Sequence, residues 1–414
     1  MIVYKAFKTE LDLTPAQEEL CRKHAGARRF VYNWMLAQCI FARENKEKKP
    51  SAYDLVKRFR TEVKPNLEWY SEISSRVEEG AARDLDQAYK HFFRRIKSGK
   101  KGKSSGFPKF QKKRDGLGSF ATFGTIKITG FTVQIGKIGV LRVKERGYIP
   151  MDSRVTSASV STRGGRWFIS CLCEVEVQND REQSGIIGID LGIKSALVTS
   201  DGKTFDAPKP LKRYARKLRK LGKSLSRKTI GSNRRKTAVK KLAKLHYKIS
   251  NIRNDFIHKA TTELAKTKRV IVIENLNVSG MVKNHHLARA ISDIGFYEIR
   301  RQLEYKCGWY GSELIIADRF YPSSKLCHVC GYKNVDLKLS DRFWMCPQCG
   351  TVLDRDVNAA MNLAALAPKI EDSLNGRGDG SSAHDSNIVA QPVCETSTYT
   401  HIGSHDEQTS VYDG

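Results

Sequence analysis

The sequence predicts a multidomain α/β protein, and three observations carry that expectation. Two apolar, β-branched runs meet single carboxylates at Asp190 and Glu274, and a long basic stretch with helical periodicity separates them. Four paired cysteines then lead into a third acidic segment, Asp354-Arg355-Asp356-Val357-Asn358-Ala359-Ala360, which opens an apolar helical run.

At 414 residues the chain is long enough for roughly two to four domains, and its 40% apolar content is that of a soluble globular protein. It has no run of eighteen apolar residues and no signal-peptide pattern over residues 1–10, so neither a membrane nor export is expected and the cytoplasm is the predicted compartment. A formal net charge of +29 concentrates polyanions around the chain, which makes nucleic acid the default partner.

In chain order, residues 14–42 and 75–95 read as helices, the first opening at Thr14-Pro15 and carrying Arg28-Arg29-Phe30-Val31-Tyr32-Asn33-Trp34. A basic Gly/Ser-containing segment follows over residues 94–114, including Gly106-Phe107-Pro108-Lys109-Phe110. Residues 127–143 and 155–177 alternate apolar and polar side chains, with Arg163-Gly164-Gly165-Arg166 as a hairpin turn. The amino-terminal half is therefore a small β module carrying a helical insert, and its aromatic residues are expected in the core.

Residues 186–191 form an apolar strand with Asp190 near its end, and residues 196–200 supply its partner through the Ser200-Asp201-Gly202 turn. Residues 269–274 and 314–318 are further strands, and 297–310 a helix. This is the pattern of a ribonuclease H-type α/β domain. Between Asp206 and Asp255 eighteen Lys and Arg occur without one acid. Leu211, Tyr214, Leu218, Leu221 and Leu225 recur at helical spacing, as do Val239, Leu242, Leu245, Ile249, Ile252 and Phe256 after the Gly231-Ser232-Asn233 break. The expectation is a two-helix hairpin with an apolar seam and a cationic outer wall suited to a nucleic-acid backbone.

Cys327, Cys330, Cys346 and Cys349 form two Cys-x-x-Cys knuckles with the spacing of a closed, structural zinc ribbon. Cys21, Cys39, Cys171, Cys173, Cys307 and Cys394 are scattered and expected to be reduced thiols. From residue 368 onward the chain is polar, acidic and without apolar rhythm, as a disordered tail would be.

A carboxylate at a strand end is exposed, whereas one in mid-strand would be buried at a cost of several kcal/mol, roughly. Asp190, Glu274 and Asp356 are accordingly expected to converge on one centre. Asp354 suits the N-cap of the last helix and leaves Asp356 in its first turn, facing the strands. Hard oxygen donors favour magnesium or manganese. Two such ions about 4 Å apart would activate a water and stabilise a leaving 3′ oxygen, yielding a 5′ phosphate.

Gly188-Ile189-Asp190-Leu191-Gly192-Ile193, Ile273-Glu274-Asn275-Leu276, Phe320-Tyr321-Pro322-Ser323-Ser324-Lys325 before the cysteine knuckles, and the Asp354–Ala360 segment together resemble TnpB. That family comprises transposon-encoded nucleases regarded as ancestral to type V CRISPR effectors. Arg29–Trp34, Arg83-Asp84-Leu85-Asp86 and Gly106–Phe110 resemble its amino-terminal half, and the likeness spans residues 1–366.

The resemblance implies a RuvC nuclease domain over residues 181–366, with the basic hairpin at 209–262 and an inserted zinc ribbon at 320–352. It implies a β-barrel WED-like domain from residues 1–10 and 96–180, a helical REC-like domain at 11–95, and a tail at 367–414. Asp190, Glu274 and Asp356 would be the catalytic magnesium ligands, and the four cysteines would hold zinc. The implied activity is guided cleavage of double-stranded DNA beside a short target-adjacent motif, using an RNA from the transposon end. A monomer carrying RNA at a prokaryotic nucleoid is the implied assembly. Glu78-Glu79-Gly80 departs from the polar amides the family often carries on the helix approaching that motif. The rival readings are a guided DNA-binding regulator without cleavage and a conventional RNase H-like transposase, against which the lack of an obvious helix-turn-helix counts.

Overall fold

The computed structural model describes residues 1–113, 118–124, 126–177, 183–338 and 340–367, so the acidic tail and Cys394 lie outside the described residues. Strand β1 (Ile2–Asp12) leads into α1 (Pro15–Glu44) through a reciprocal cap. The Gln17 amide donates to the Thr14 hydroxyl, and the Thr14 amide donates to the Gln17 side chain. With Pro15 in the first turn, this fixes where the helix begins.

Helices α2 (Ala52–Arg58) and α3 (Arg76–Lys97) fold back on α1 around Met35, Leu36, Phe59, Tyr70 and Leu85. Glu78, fully buried on α3, accepts from Lys64 Nζ at 3.0 Å and from the Arg60 guanidinium. The acid that departs from the family pattern thus ties this helical unit together.

Six more strands follow: β2 (Ser119–Phe123), β3 (Lys127–Ile128), β4 (Thr132–Ile135), β5 (Gly139–Val143), β6 (Val155–Arg163) and β7 (Arg166–Glu176). With β1 they form one antiparallel sheet in the order β2-β6-β7-β1-β5-β4-β3. Phe120 on an edge strand and Val133 near the other edge share one core with Leu141, Val160 and Ile169, so the sheet curls onto itself. Gly164 and Gly165, at φ +61° and +78°, make the two-residue hairpin turn that only positive φ allows.

The second sheet contains β8 (Ile186–Asp190), β9 (Leu197–Thr199), β10 (Thr204–Phe205), β11 (Val270–Ile273) and β12 (Glu313–Ile316), in the order β10-β9-β8-β11-β12. β8, β11 and β12 run parallel and β9 pairs antiparallel with β8. The third strand is thus two residues shorter at its carboxyl end than expected.

Between the strands stand α4 (Pro210–Ser226) and α5 (Asn233–Thr267), the expected basic hairpin. The Ser232 hydroxyl accepts the Arg235 amide at 3.1 Å and starts α5 at the predicted break. Leu245 and Ile249 are buried in the seam, but Val239 is 47% exposed and the smaller Ala238 takes the buried position. Asp293 secures the hairpin base, accepting the Leu211 and Lys212 amides at 2.9 Å each. Arg213, Arg216, Lys217, Lys240, Lys241 and Lys244 are all exposed, so the wall of one sign is present.

After β11 come α6 (Val278–Met281), α7 (Ala288–Ile294) and α8 (Phe296–Tyr310). β13 (Phe343–Met345) and β14 (Val352–Asp354) form the cysteine-bearing ribbon, and α9 (Arg355–Ala364) follows it. One face of the sheet packs Ile187, Ile271 and Ile273 against Ile257, Leu264, Ile299 and Leu303 of α5 and α8. The other packs Val270 and Val272 against Leu363 of α9 and Ala367 just beyond it. Among the described residues no helix is long and apolar enough to cross a membrane.

Candidate catalytic and zinc sites

Register brings the first two acids together. Ile189 of β8 pairs with Ile273 of β11, so Asp190 and Glu274 come next at the same edge of adjacent parallel strands. Strand side chains alternate faces. Because Val270 and Val272 face α9, Glu274 shares their side, and Asp190 shares that of Gly188.

Gly188 explains how α9 reaches this edge. A Cβ there would lie 1.9 Å from the Ala360 carbonyl oxygen and 2.5 Å from the Ala364 nitrogen, so the helix rests on bare strand backbone. Asp356 is four residues before Ala360, on the same helix face. Asp354 serves as N-cap, accepting the Asp356 and Val357 amides at 2.9 and 3.0 Å. Asp354 thus takes the expected N-cap position and Asp356 lies in the first turn.

The electrostatics follow. Burial, and then the negative charges of Glu274 and Asp356, push the Asp190 carboxyl well above its ordinary range, against the opposing pull of Arg355 and Arg342. Glu274 is also raised by burial, while a hydrogen bond from Ser323 counteracts the shift. Both acids are recessed rather than exposed, correcting the expectation for strand-end carboxylates: α9 rests on Gly188, and Ser323 of the loop before the ribbon bonds Glu274. Asp356 accepts from Arg342 and Arg355 at 3.0 Å each. The three acids are thus electrostatically linked, but they do not form a group whose donor atoms all lie within 4.8 Å; among the described residues the four cysteines do.

The Sγ atoms of Cys327 and Cys349 are 3.6 Å apart, and those of Cys330 and Cys346 are 3.5 Å apart. Tetrahedral zinc with bonds of about 2.3 Å requires sulfurs about 3.8 Å apart, so the donor set fits that ion. Within the cluster the Thr351 hydroxyl and amide pull the Cys349 thiol down to about 6, while Cys330, despite its hydrogen bond with the Tyr332 backbone, is pushed up to about 12 by burial and the neighbouring sulfurs. Cys21, Cys39, Cys171, Cys173 and Cys307 are buried free thiols.

Several residues of the site were not singled out from sequence. Ser323, inside the Phe320–Lys325 motif, donates to Glu274 Oε1 at 2.6 Å. Asn362 donates to the Ser323 and Leu326 carbonyls at 2.8 and 2.7 Å, and Asn358 donates to the Leu326 carbonyl at 2.6 Å. Two amides at i,i+4 among alanines were the available signal, since such side chains stay buried only when they bind something. Beside Glu274 a cleft of about 440 Å³ opens, bordered by Asn275, Tyr297, Arg300 and Arg319.

Three family models match. Residues 170–285 match one described as "Probable transposase" (OrfB_IS605), 296–363 one described as "Cas12f1-like, TNB domain", and 1–48 one described as "Helix-turn-helix domain". The last stretch forms a strand and one unbroken helix here. A protein of Streptomyces pristinaespiralis named "Putative RNA-guided DNA endonuclease" is 35% identical over 395 residues, covering 91% of this chain and 95% of that one. A protein of Escherichia coli K12 with the same description is 33% identical, covering 87% and 92%. A mimivirus "TnpB-like protein" is 28% identical over 44% of this chain. The cryo-EM structure of a "Cas12f1-sgRNA-target DNA complex" matches with a TM-score of 0.54 at 14% identity, over 88% of this chain and 99% of that one, a likeness of fold. Identity above 30% across nearly the full length of both sequences makes this chain a member of the TnpB (OrfB) family.

Proposed function

We propose that the chain is an RNA-guided DNA endonuclease that hydrolyses phosphodiester bonds at the edge bearing Asp190, Glu274 and Asp356. The observation that supports this reading is geometric: Asp190 and Glu274 follow paired residues at the ends of adjacent parallel strands, and α9, which carries Asp356 in its first turn, rests on Gly188 of the same strand as Asp190. Relatives named as RNA-guided DNA endonucleases supply the activity class.

Asp190 and Glu274 offer hard oxygen donors on one sheet face, and Ser323 fixes the Glu274 carboxylate through its 2.6 Å hydrogen bond. Arg342 and Arg355 keep the Asp356 charge compensated. Magnesium or manganese bound by these acids would activate the attacking water and stabilise the leaving 3′ oxygen. The cysteine ribbon takes a structural zinc, and its Leu326 carbonyl is tied to α9 by Asn358 and Asn362.

In this reading the curled seven-stranded sheet is the WED-like unit, helices α1 to α3 the REC-like unit, and the carboxyl-terminal half the RuvC-like nuclease. The exposed cations of α4 and α5 grip backbone phosphates without reading sequence, which base pairing with the RNA supplies. The test is to sequence RNA bound to the purified protein, then assay a matched plasmid with magnesium beside Asp190→Ala. Cutting by the wild type and none by the variant is expected. RNA-loaded protein that never cuts a matched target would leave the binding regulator as the better reading.

A further inference from the structure

A cleft of about 550 Å³ lies between the curled β sheet and helices α5 and α8, and nothing in the nuclease reading uses it. Its walls carry three ring pairs: Phe7 with Tyr148 at 5.6 Å, Phe168 with Tyr247 at 5.4 Å, and Tyr305 with Trp309 at 4.5 Å. Cations sit against the same rings. Lys5 Nζ is 5.0 Å from the Trp309 ring centre, Lys8 Nζ 5.6 Å from Phe168, and the Arg163 guanidinium 5.5 Å from Tyr247. Asn251 and Asn254 of α5 add amide donors and acceptors.

We infer that this cleft takes one unstacked nucleotide of the bound RNA. The inference rests on the guided reading above and names a contact for its RNA. The cleft falls within the range of about 300–1,000 Å³ typical of sites for small ligands, too small for a duplex to enter. Aromatic faces stack on any base, amides meet base edges, and side-chain cations at the rim meet phosphates. Two acids share the lining: Glu10 is already paired with Lys144 and Arg166, and Glu145 is outnumbered by Lys5, Lys8, Arg163, Arg166 and Lys306, so the balance stays cationic.

Position favours guide over scissile strand. Gln183 Nε2, just ahead of β8, donates to the Tyr310 and Ala265 carbonyls, so the cleft end of α8 lies where the parallel strands begin. The acids are at the edge where those strands end. Tyr297 borders the cleft beside Glu274, and Trp309 is about 18 Å further along the same helix at 1.5 Å per residue. A strand held here is anchored away from the chemistry, as a guide must be.

The test uses the full-length protein purified with its RNA. Ultraviolet crosslinking and peptide mass spectrometry should find a nucleotide adduct on the peptides carrying Tyr247, Tyr305 or Trp309. Trp309→Ala should abolish the adduct and speed RNA dissociation about 10-fold, with Trp309→Phe restoring retention. Asn251→Asp, an exposed change that puts negative charge in the cleft, should weaken retention without altering the melting temperature. Adducts confined to other surfaces, with retention unchanged in Trp309→Ala and Asn251→Asp, would overturn the cleft assignment alone. Wild-type protein that carries no RNA would overturn the guided reading and this one with it.

Discussion

The Ser323 hydroxyl donates to Glu274 Oε1 at 2.6 Å, joining the loop ahead of the cysteine ribbon to the end of β11. That bond opposes the upward push of burial on the Glu274 carboxyl. Removing it in Ser323→Ala should raise the Glu274 pKa further and move the acidic limb of the cleavage profile to higher pH. A hydrogen bond to a charged group contributes about 1.5–3 kcal/mol, so a rate loss on the order of 10- to 100-fold at neutral pH is expected. A pH–rate profile with an unmoved acidic limb would deny Ser323 this role.

Asp190 makes a stability prediction with a definite sign. Its carboxyl is pushed up by burial and by the charges of Glu274 and Asp356. Between the ordinary value of about 4 and the raised one, the folded chain holds a proton that the unfolded chain has released. The associated stability is fully present below about 4 and is lost as pH rises through the raised value. Without added divalent ions, wild-type melting temperature should therefore fall across that window, and Asp190→Asn should flatten the fall while abolishing cutting. Parallel wild-type and variant melting curves from pH 4 to 8 would contradict this.

Much of this was legible because periodicity and spacing are local signals. The alternation in β6 and β7, the heptad-like seam of α4 and α5, the Cys-x-x-Cys pairs and the strand-ending acids each announce themselves within about ten residues. What escaped depends on residues far apart in sequence. The recess of Asp190 requires α9 to lie on Gly188, and the roles of Ser323, Asn358 and Asn362 exist only once that helix and the ribbon loop meet. The burial of Glu78 has no local signal, because its partners Arg60 and Lys64 lie 18 and 14 residues earlier in the chain. Val239 yielded its seam position to Ala238 because a small side chain suits closely packed helices.

Glu78 provides a test of the helical unit. Glu78→Ala leaves Arg60 and Lys64 without their buried partner, but both cations are about a third exposed, at 39% and 34%, and can rehydrate. The cost should therefore lie below the 3–5 kcal/mol of a fully buried pair, at about 1–3 kcal/mol. Chemical denaturation should show that loss, with zinc content unchanged. A midpoint equal to the wild type would mean the pair contributes no net stability.

Zinc and catalysis should be linked through α9. Cys346→Ser removes one thiolate, and a structural ribbon that loses its ion loses local folding energy. The Leu326 carbonyl, one residue before Cys327, is held by Asn358 and Asn362, and Asn362 also holds Ser323. The variant should carry less than one zinc per chain by elemental analysis and lose most cleavage. RNA retention should stay near wild type, because the basic hairpin is anchored elsewhere, by Asp293. Full activity in protein shown to be zinc-free would break this link.

The closest approach in the site gives the sharpest substitution. In Gly188→Ala the new methyl would meet the Ala360 carbonyl oxygen at 1.9 Å and the Ala364 nitrogen at 2.5 Å, both backbone atoms that no rotamer can move aside. α9 must lift from β8, and Asp356, one turn before Ala360, must lift with it. Overpacking of this kind costs about 1–3 kcal/mol, within what a domain of this size tolerates. The variant should therefore fold and retain RNA while cutting at least about 100-fold more slowly, because displacement of a positioned group by about 1 Å suffices for that loss. Restoring activity by trimming the opposing position is not available, since the clash is with main chain. Wild-type cutting by Gly188→Ala would separate Asp356 from the centre that Asp190 and Glu274 define.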